Sequence, residues 1–291
     1  MKNRVDIGRV IKIISNRYTV KLENKSVIAS PRGKLRLVGN IYAGDMVKVV
    51  YERGSAIIDE VLPRKNSLTR PNVANLDTVL IVIAPEPTPD LILVDKIMLN
   101  AYQQGIKPVL VFNKSDMMDE AEIESIIAPY KKHLDTAVIS AENKVGLEQL
   151  IPYVENSVVC LAGQSAVGKT SLMNALLDLN LATDGLAKKG NRGKSTTRHI
   201  EMYEALGGII ADTCGFNIMT LVDIEPEELI FYYDEFIPLQ SSCKFKSCTH
   251  TIEPDCMVKK ALENKELDQG RYDRYIHIYK ELKELRRKLY D

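Results

Sequence analysis

The chain has no tryptophan, and aromatic residues fill only 6% of its 291 positions. Its core must therefore be aliphatic, and a hydrophobic content of 45% is enough for two or three domains. No apolar run reaches the roughly 18 residues that a membrane-crossing helix needs. The start, Met1-Lys2-Asn3-Arg4-Val5-Asp6, lacks the apolar stretch of a secretory signal. A cytoplasmic protein with no membrane partner is expected, and five cysteines in that setting do not read as a disulfide framework. Net charge is also missing, since 39 basic residues balance 39 acidic ones. The balance is not local. Residues 1–70 hold 15 Lys and Arg against 6 Asp and Glu, and the remainder holds 24 against 33. A basic segment on an otherwise acidic chain is an electrostatic footprint for nucleic acid, although small β-rich domains also carry lysines on solvated faces.

Three regions follow from the patterning. Residues 1–65 break into short β-rich runs (6–14, 17–22 and 45–51) with no helical period, which fits a small barrel of the OB-fold kind that takes single-stranded or looped nucleic acid. Arg32, Lys34 and Arg36 are expected to alternate along one strand face, with Tyr18 and Tyr51 available for stacking, and residues 63–71 read as a polar linker. From 73 to 220 apolar strands alternate with amphipathic helices, which predicts a parallel sheet covered on both faces. The expected strands are 78–84, 108–113, 136–140, 157–163, 199–205 and 208–212, with helices near 90–104, 119–132, 146–153 and 169–179. Residues 221–291 are helical and highly charged, and end on a stripe of Tyr275, Ile278, Tyr279, Leu282, Leu285 and Leu289 that reads as core or docking surface.

Two motifs in the central region carry nucleotide chemistry. Gly163-Gln164-Ser165-Ala166-Val167-Gly168-Lys169-Thr170-Ser171 follows an apolar strand and opens a helix, the setting of a phosphate loop. There backbone N–H groups cradle phosphates, Lys169 reaches the β- and γ-phosphates, and the Thr170 hydroxyl ligates magnesium. Asn113-Lys114-Ser115-Asp116 caps another strand, and the Asp116 carboxylate can accept two hydrogen bonds that guanine offers and adenine does not. Asn113 can tie this loop to the phosphate loop, and Ser140-Ala141-Glu142 can present a backbone N–H to guanine O6. The base-reading motif precedes the phosphate loop. That order predicts a circularly permuted α/β P-loop GTPase domain.

After the phosphate loop, Ser195-Thr196-Thr197-Arg198 sits in a Gly/Lys-rich stretch, where a threonine can reach magnesium and sense the γ-phosphate. Asp212-Thr213-Cys214-Gly215 ends the next strand, so Asp212 is expected to hold magnesium through water and the Gly215 N–H to meet the γ-phosphate. Phe216 stands where many GTPases place a water-orienting glutamine, which predicts slow intrinsic hydrolysis and a partner-activated switch. Cys243, Cys248, His250 and Cys256 offer three thiolates and an imidazole within a short stretch. That is the ligand set of one closed, structural zinc site in a C-terminal α-helical zinc-knuckle domain. Cys160 and Cys214, at strand ends, read as packing residues.

Taken together, the permuted order, a small barrel before it and a Cys3His knuckle after it resemble the RsgA (YjeQ/YloQ) family of circularly permuted GTPases. The resemblance covers all three regions. It implies a ribosome-assembly factor that acts late in maturation of the small (30S) subunit, binds near the decoding region of 16S rRNA, is stimulated by that subunit and leaves on hydrolysis. GTP or GDP, magnesium and zinc are the implied cofactors. The family's nucleotide positions match Asn113 to Asp116 and Gly163 to Ser171, and its zinc ligands match the Cys243 to Cys256 set. Ala166, Thr170 and Cys214 depart mildly from the family's usual residues. Ser195 stands where many members carry a histidine proposed to help hydrolysis, and His199 is the nearest substitute. The residues themselves leave open a GTP-regulated RNA-binding module on the large subunit or another RNA, or an RNA hydrolase at the knuckle, though four protein ligands argue against the latter. Nothing marks an obligate interface or a DNA partner, so a monomer is expected.

Overall fold

The computed structural model of the protein describes residues 5–15, 17–33, 35, 40–52, 54–69, 72–183, 201–212 and 224–290. Strands β1 (Val5–Ile14), β2 (Arg17–Lys21), β3 (Ser26–Pro31), β4 (Met46–Glu52) and β5 (Ser55–Val61) form the N-terminal barrel. β1 pairs with both β2 and β4, while β3 runs parallel to β5, so the circuit closes in the order 1-2-3-5-4. Inward positions carry Val10, Val20, Ala29, Val47, Val49 and Ile58, all buried. This alternation is what holds the register.

The barrel differs in detail from the expectation. β3 ends at Pro31, so Arg32 lies past the strand, where its guanidinium pairs with Glu52 and Asp59; Lys34 and Arg36 lie outside the described residues. Tyr18 and Tyr51 pack against the barrel core, and the Tyr51 hydroxyl donates to Asp6 at 2.8 Å, so these rings serve the fold rather than standing open as stacking platforms. The described part of the expected linker, residues 63–69, is an ordered strap. Arg64 makes two bonds to the buried Asp45 carboxylate, at 2.6 and 2.8 Å, and Asn66 exchanges two bonds with Leu76. Between them β6 (Ser67–Thr69) and β7 (Asn72–Ala74) form a hairpin. Gly44, at φ +90°, lets the barrel approach this hairpin, because an added Cβ would lie 2.1 Å from the Ala74 carbonyl.

The second half of the sheet comprises β8 (Thr78–Ile83), β9 (Lys107–Phe112), β10 (Asp135–Val138), β11 (Val158–Ala162), β12 (Glu201–Ala205) and β13 (Gly208–Asp212). Their spatial order is β10-β9-β8-β11-β13-β12, parallel except for the β12–β13 hairpin. All six residues of β8 are buried, as expected of a strand covered on both faces. The chain runs outward from β8 to β10, then returns to β11 on the other side of β8. The C-terminal ends of β8 and β11 therefore form a topological switch point, where open α/β sheets bind ligands. Helices Leu91–Gln103 and Glu120–Lys131 start on the aspartate caps Asp90 and Asp119, whose side chains accept from Leu93 and Glu122 N–H. The helix expected at 146–153 is a 3-10 turn, Leu147–Leu150, followed by the single turn Ile151–Val154 with proline in its first residues. On its outer edge β12 pairs with β1, so barrel and nucleotide sheet form one 11-stranded sheet.

The C-terminal region packs its own core of Leu229, Tyr233, Phe236, Tyr275, Ile278 and Leu282 under the helix Gln269–Tyr290. The apolar stripe of that helix stops short of Leu285, which is exposed. Buried Asp95, on Leu91–Gln103, accepts from Arg271 at 2.8 Å, Arg274 at 2.9 Å and the Tyr130 hydroxyl at 3.0 Å, which fastens this region to the nucleotide domain. Among the described residues no helix is long and apolar enough to cross a membrane.

Candidate functional site

The phosphate loop leaves β11 at the switch point. Gly163, at φ +129°, passes so close to β8 that a Cβ would lie 2.1 Å from the Val82 carbonyl, and Gly168, at φ +92°, would place one 2.4 Å from Asn113 Nδ2. Only glycine fits both positions. Ala166 also takes a left-handed backbone, at φ +66°. The helix Lys169–Thr183 begins at once, and Leu172 N–H closes its first turn on the Gly168 carbonyl at 2.8 Å. Its leading N–H groups and positive dipole end face the loop. The Lys169 amine folds over the loop, donating to the carbonyls of Gly163 at 2.8 Å and Gln164 at 2.5 Å. Ser165, Thr170 and Ser171 are exposed, while Val167 is buried and anchors the loop in the core.

The base-reading elements converge on the same end. Buried Asn113 follows β9; its Nδ2 donates to the Val167 carbonyl at 2.9 Å and its Oδ1 accepts from Ala141 N–H at 3.0 Å. One side chain thus joins the Asn113 loop, the Ser140-Ala141 loop and the phosphate loop. The Ala141 N–H serves this brace, which sets the Ser140-Ala141-Glu142 turn beside the Asn113 loop. Ser140 Oγ accepts from Asn143 N–H at 3.2 Å and caps the same turn. Lys114 has a left-handed backbone, its amine donates to the Glu86 carbonyl at 2.7 Å, and Ser115 N–H reaches the Ile139 carbonyl at 3.1 Å. Asp116 is exposed at the short turn Ser115–Met117, with its carboxylate accessible to a base.

Sequence reasoning missed the loop after β8. Gln164 accepts from Asp90 N–H at 2.8 Å and donates to the Thr88 carbonyl at 3.2 Å, so residues 86–90 buttress both nucleotide motifs. Its strand-end position beside the phosphate loop was the available signal. Glu201 was missed as well. Across the β12–β13 hairpin it stands directly opposite Asp212, and Lys12 of the barrel donates to it at 2.7 Å. Burial and the nearby Glu201 charge push the Asp212 carboxyl above its usual value. A carboxylate under such pressure is well placed to welcome a cation. Thr196, Thr197, His199 and Gly215 lie outside the described residues.

In the C-terminal region Cys243, Cys248, His250 and Cys256 converge, with one donor atom from each lying within 4.8 Å of all the others. His250 is fully buried, with Nδ1 3.2 Å from the Cys256 sulfur and 3.8 Å from that of Cys243. Burial holds the His250 imidazole down to about 4 and pushes the Cys248 thiol up to about 12. A neutral imidazole is a ready ligand, and a dication is what turns such crowded thiols into thiolates. Tyr272 and Tyr275 donate to the His250 and Thr249 carbonyls at 2.8 and 2.7 Å, which fixes the left-handed turn that presents His250. The cluster can hold a metal ion.

A family model described as RsgA GTPase matches residues 61–222. The chain belongs to the RsgA GTPase family. It is accordingly a GTP hydrolase, with GTP and GDP as the nucleotides its family implies. Among curated relatives, the "Small ribosomal subunit biogenesis GTPase RsgA" of Geobacillus sp. (strain WCH70) is 38% identical over 285 residues, covering 95% of this chain and 97% of the relative. The protein of the same name from Thermotoga petrophila is 38% identical, covering 97% and 98%. Of solved structures, YjeQ from Thermotoga maritima superposes with a TM-score of 0.81 at 35% identity, covering 96% of this chain and 99% of that one. YloQ, titled a circularly permuted GTPase, gives 0.78 at 29%, covering 97% and 96%. The permuted strand order of this RsgA-family chain is thus shared by its structural relatives.

Proposed function

We propose that this chain assists maturation of the small ribosomal subunit, hydrolysing GTP when bound to that subunit and leaving as GDP forms. The brace centred on Asn113 carries the reading, since it holds a guanine-selective carboxylate and a phosphate loop in one fixed geometry. The relatives, small ribosomal subunit biogenesis GTPases by name, point to the subunit. Asp116 reads the base, Gly163 to Ser171 wrap the phosphates, and Lys169 neutralises them. Thr170, Thr197 and Asp212 would hold magnesium, whose charge offsets that developing on the transferred phosphoryl group. These residues order the phosphates for the in-line attack of water. With Phe216 after Gly215, and Ser195 ahead of the Thr196-Thr197 pair, the chain supplies no evident water-orienting group except His199, so turnover depends on the subunit. The barrel and the C-terminal region are the surfaces offered to 16S rRNA. The Cys243, Cys248, His250 and Cys256 cluster holds one structural zinc, because four protein ligands leave no open coordination position. A monomer in the cytoplasm fits this work.

The test is GTP turnover measured with small subunits, large subunits or neither. A rise confined to the small subunit is expected; equal rates in all three would remove the reading.

A further inference from the structure

The barrel reaches the nucleotide site through one row of side chains. β1 pairs with β12 at Lys12 and Glu201, and β12 pairs with β13 at Glu201 and Asp212. Directly opposed residues in antiparallel strands point to the same face with Cβ atoms roughly 4.5–5.5 Å apart. Lys12, Glu201 and Asp212 therefore stand side by side on one face, a cation and two carboxylates in line. Lys12 Nζ closes on Glu201 Oε1 at 2.7 Å, and both side chains are about one-third exposed, at 32% and 33%. A second clasp, Lys21 to Glu204 at 3.0 Å, also joins barrel to β12. Residue 201 alternates with residue 202 across the sheet, and Met202 is buried in the core beside Ala43, so β12 is seated between barrel and sheet and cannot rotate freely. Glu201 also follows Thr197 closely in sequence.

We propose that Glu201 is a positioning residue for the magnesium carboxylate Asp212, and that Lys12, supplied by the barrel, sets how strongly its charge is felt. The inference rests on the assignment of Asp212 to magnesium made above. With Lys12 in place the row carries one net negative charge. Without it the row carries two, and a dication beside Asp212 is held more tightly. Without Glu201 the row is neutral, and the dication is held less tightly. An RNA phosphate that drew Lys12 away would act in the first direction, which gives barrel occupancy a route to the GTPase centre.

The experiment titrates magnesium against retention of a fluorescent non-hydrolysable GTP analogue, using the full chain without ribosomes. Glu201→Gln should raise the half-maximal magnesium concentration by about threefold to tenfold, the size expected for a dication near one screened charge. Lys12→Met should lower it by a similar factor. The double variant restores the starting charge and should return close to the native value, and Lys12→Arg should leave it unchanged. A merely structural role would move both single variants in one direction and the double variant furthest. That pattern, or no shift in either single variant, would overturn the proposal. Asp212→Asn separates the two readings. If it leaves the midpoint unmoved, the magnesium assignment has failed; if it raises the midpoint while Lys12→Met and Glu201→Gln leave it unmoved, only the present inference has failed.

Discussion

Replacing Asn113 by alanine should damage the nucleotide site far more than the fold. Asn113 is 2% exposed and makes two side-chain bonds, to the Val167 carbonyl at 2.9 Å and from Ala141 N–H at 3.0 Å. An intact bond contributes about 1 kcal/mol net, but removing one side so that its partner stays unpaired in a dry site costs about 1–3 kcal/mol. If the three loops stayed in place, the sum would be about 4 kcal/mol. They need not stay, because Ser165 and Ala166 of the phosphate loop and residues 142–145, just after Ala141, are exposed and can open to water. The unbound protein will therefore relax and recover part of the cost, while nucleotide binding must restore the loop geometry and meet it again. The expected result for Asn113→Ala is an affinity for fluorescent GDP about 100-fold weaker, with the thermal midpoint lowered by only a few degrees. Asn113→Asp sharpens the test. It keeps the acceptor for Ala141 but turns an oxygen toward the Val167 carbonyl, so its loss should equal or exceed that of alanine. An alanine variant that bound GDP within threefold of native would refute the brace.

Gly168→Ala should abolish nucleotide binding, since the new Cβ meets Asn113 Nδ2 at 2.4 Å on a left-handed backbone; near-native retention of fluorescent GDP would contradict this. Asp95→Ala leaves buried Arg271 and half-buried Arg274 without their shared carboxylate, and urea unfolding should show a loss of about 3–5 kcal/mol with the C-terminal region released first. Glu253 gives a pH prediction: burial raises its carboxyl, but bonds from Thr249 and Thr251 outweigh this and hold it at about 2 against an ordinary 4.5. Its ionised form thus stabilises the fold fully above pH 4.5, and that contribution fades as pH falls toward about 2. The stability gap between native protein and Glu253→Gln should therefore be constant near neutrality and shrink on acidification; a gap independent of pH would count against the assignment.

The nucleotide half of the fold was legible because it is built from local signals. Buried parallel strands such as β8 and β11 are continuous apolar runs, and the motifs sit where those runs stop. The Cys3His cluster was legible for a related reason, because its ligands are close in sequence and chemically unusual. The barrel was read less well. Ile28 on β3 is 67% exposed, and the β3–β5 pairing joins residues far apart, so alternation alone could not find it. The strap at 63–69 was misread for the same reason: its polar residues look like a linker, while Arg64 and Asn66 bond to Asp45 and Leu76. Glu201 could not have been singled out from sequence, because its importance lies in a row formed by three strands from two domains.

That row bears on how the nucleotide state reaches RNA. One route is release of the C-terminal region when the γ-phosphate is lost, since the chain passes from Gly215 into that region. Wholesale release is costly, because the buried Asp95 network and the Lys96–Glu281 pair fasten it to the helix Leu91–Gln103, which begins beside the loop braced to Gln164. The barrel offers the less costly route. Permutation leaves β12 at the edge of the nucleotide sheet, and an uncovered edge strand is a liability that folds close off. Here β1 closes it, and among the described residues the two strands are in register at Lys12 and Glu201. A strand joined to the barrel through Lys12 and Lys21 and to Asp212 through Glu201 couples the two neighbours. If the C-terminal region were the only moving part, Lys12→Met would leave small-subunit stimulation of GTP turnover intact while Asp95→Ala removed it. The geometry predicts instead that Lys12→Met alone changes stimulation by several-fold, with the C-terminal region still docked.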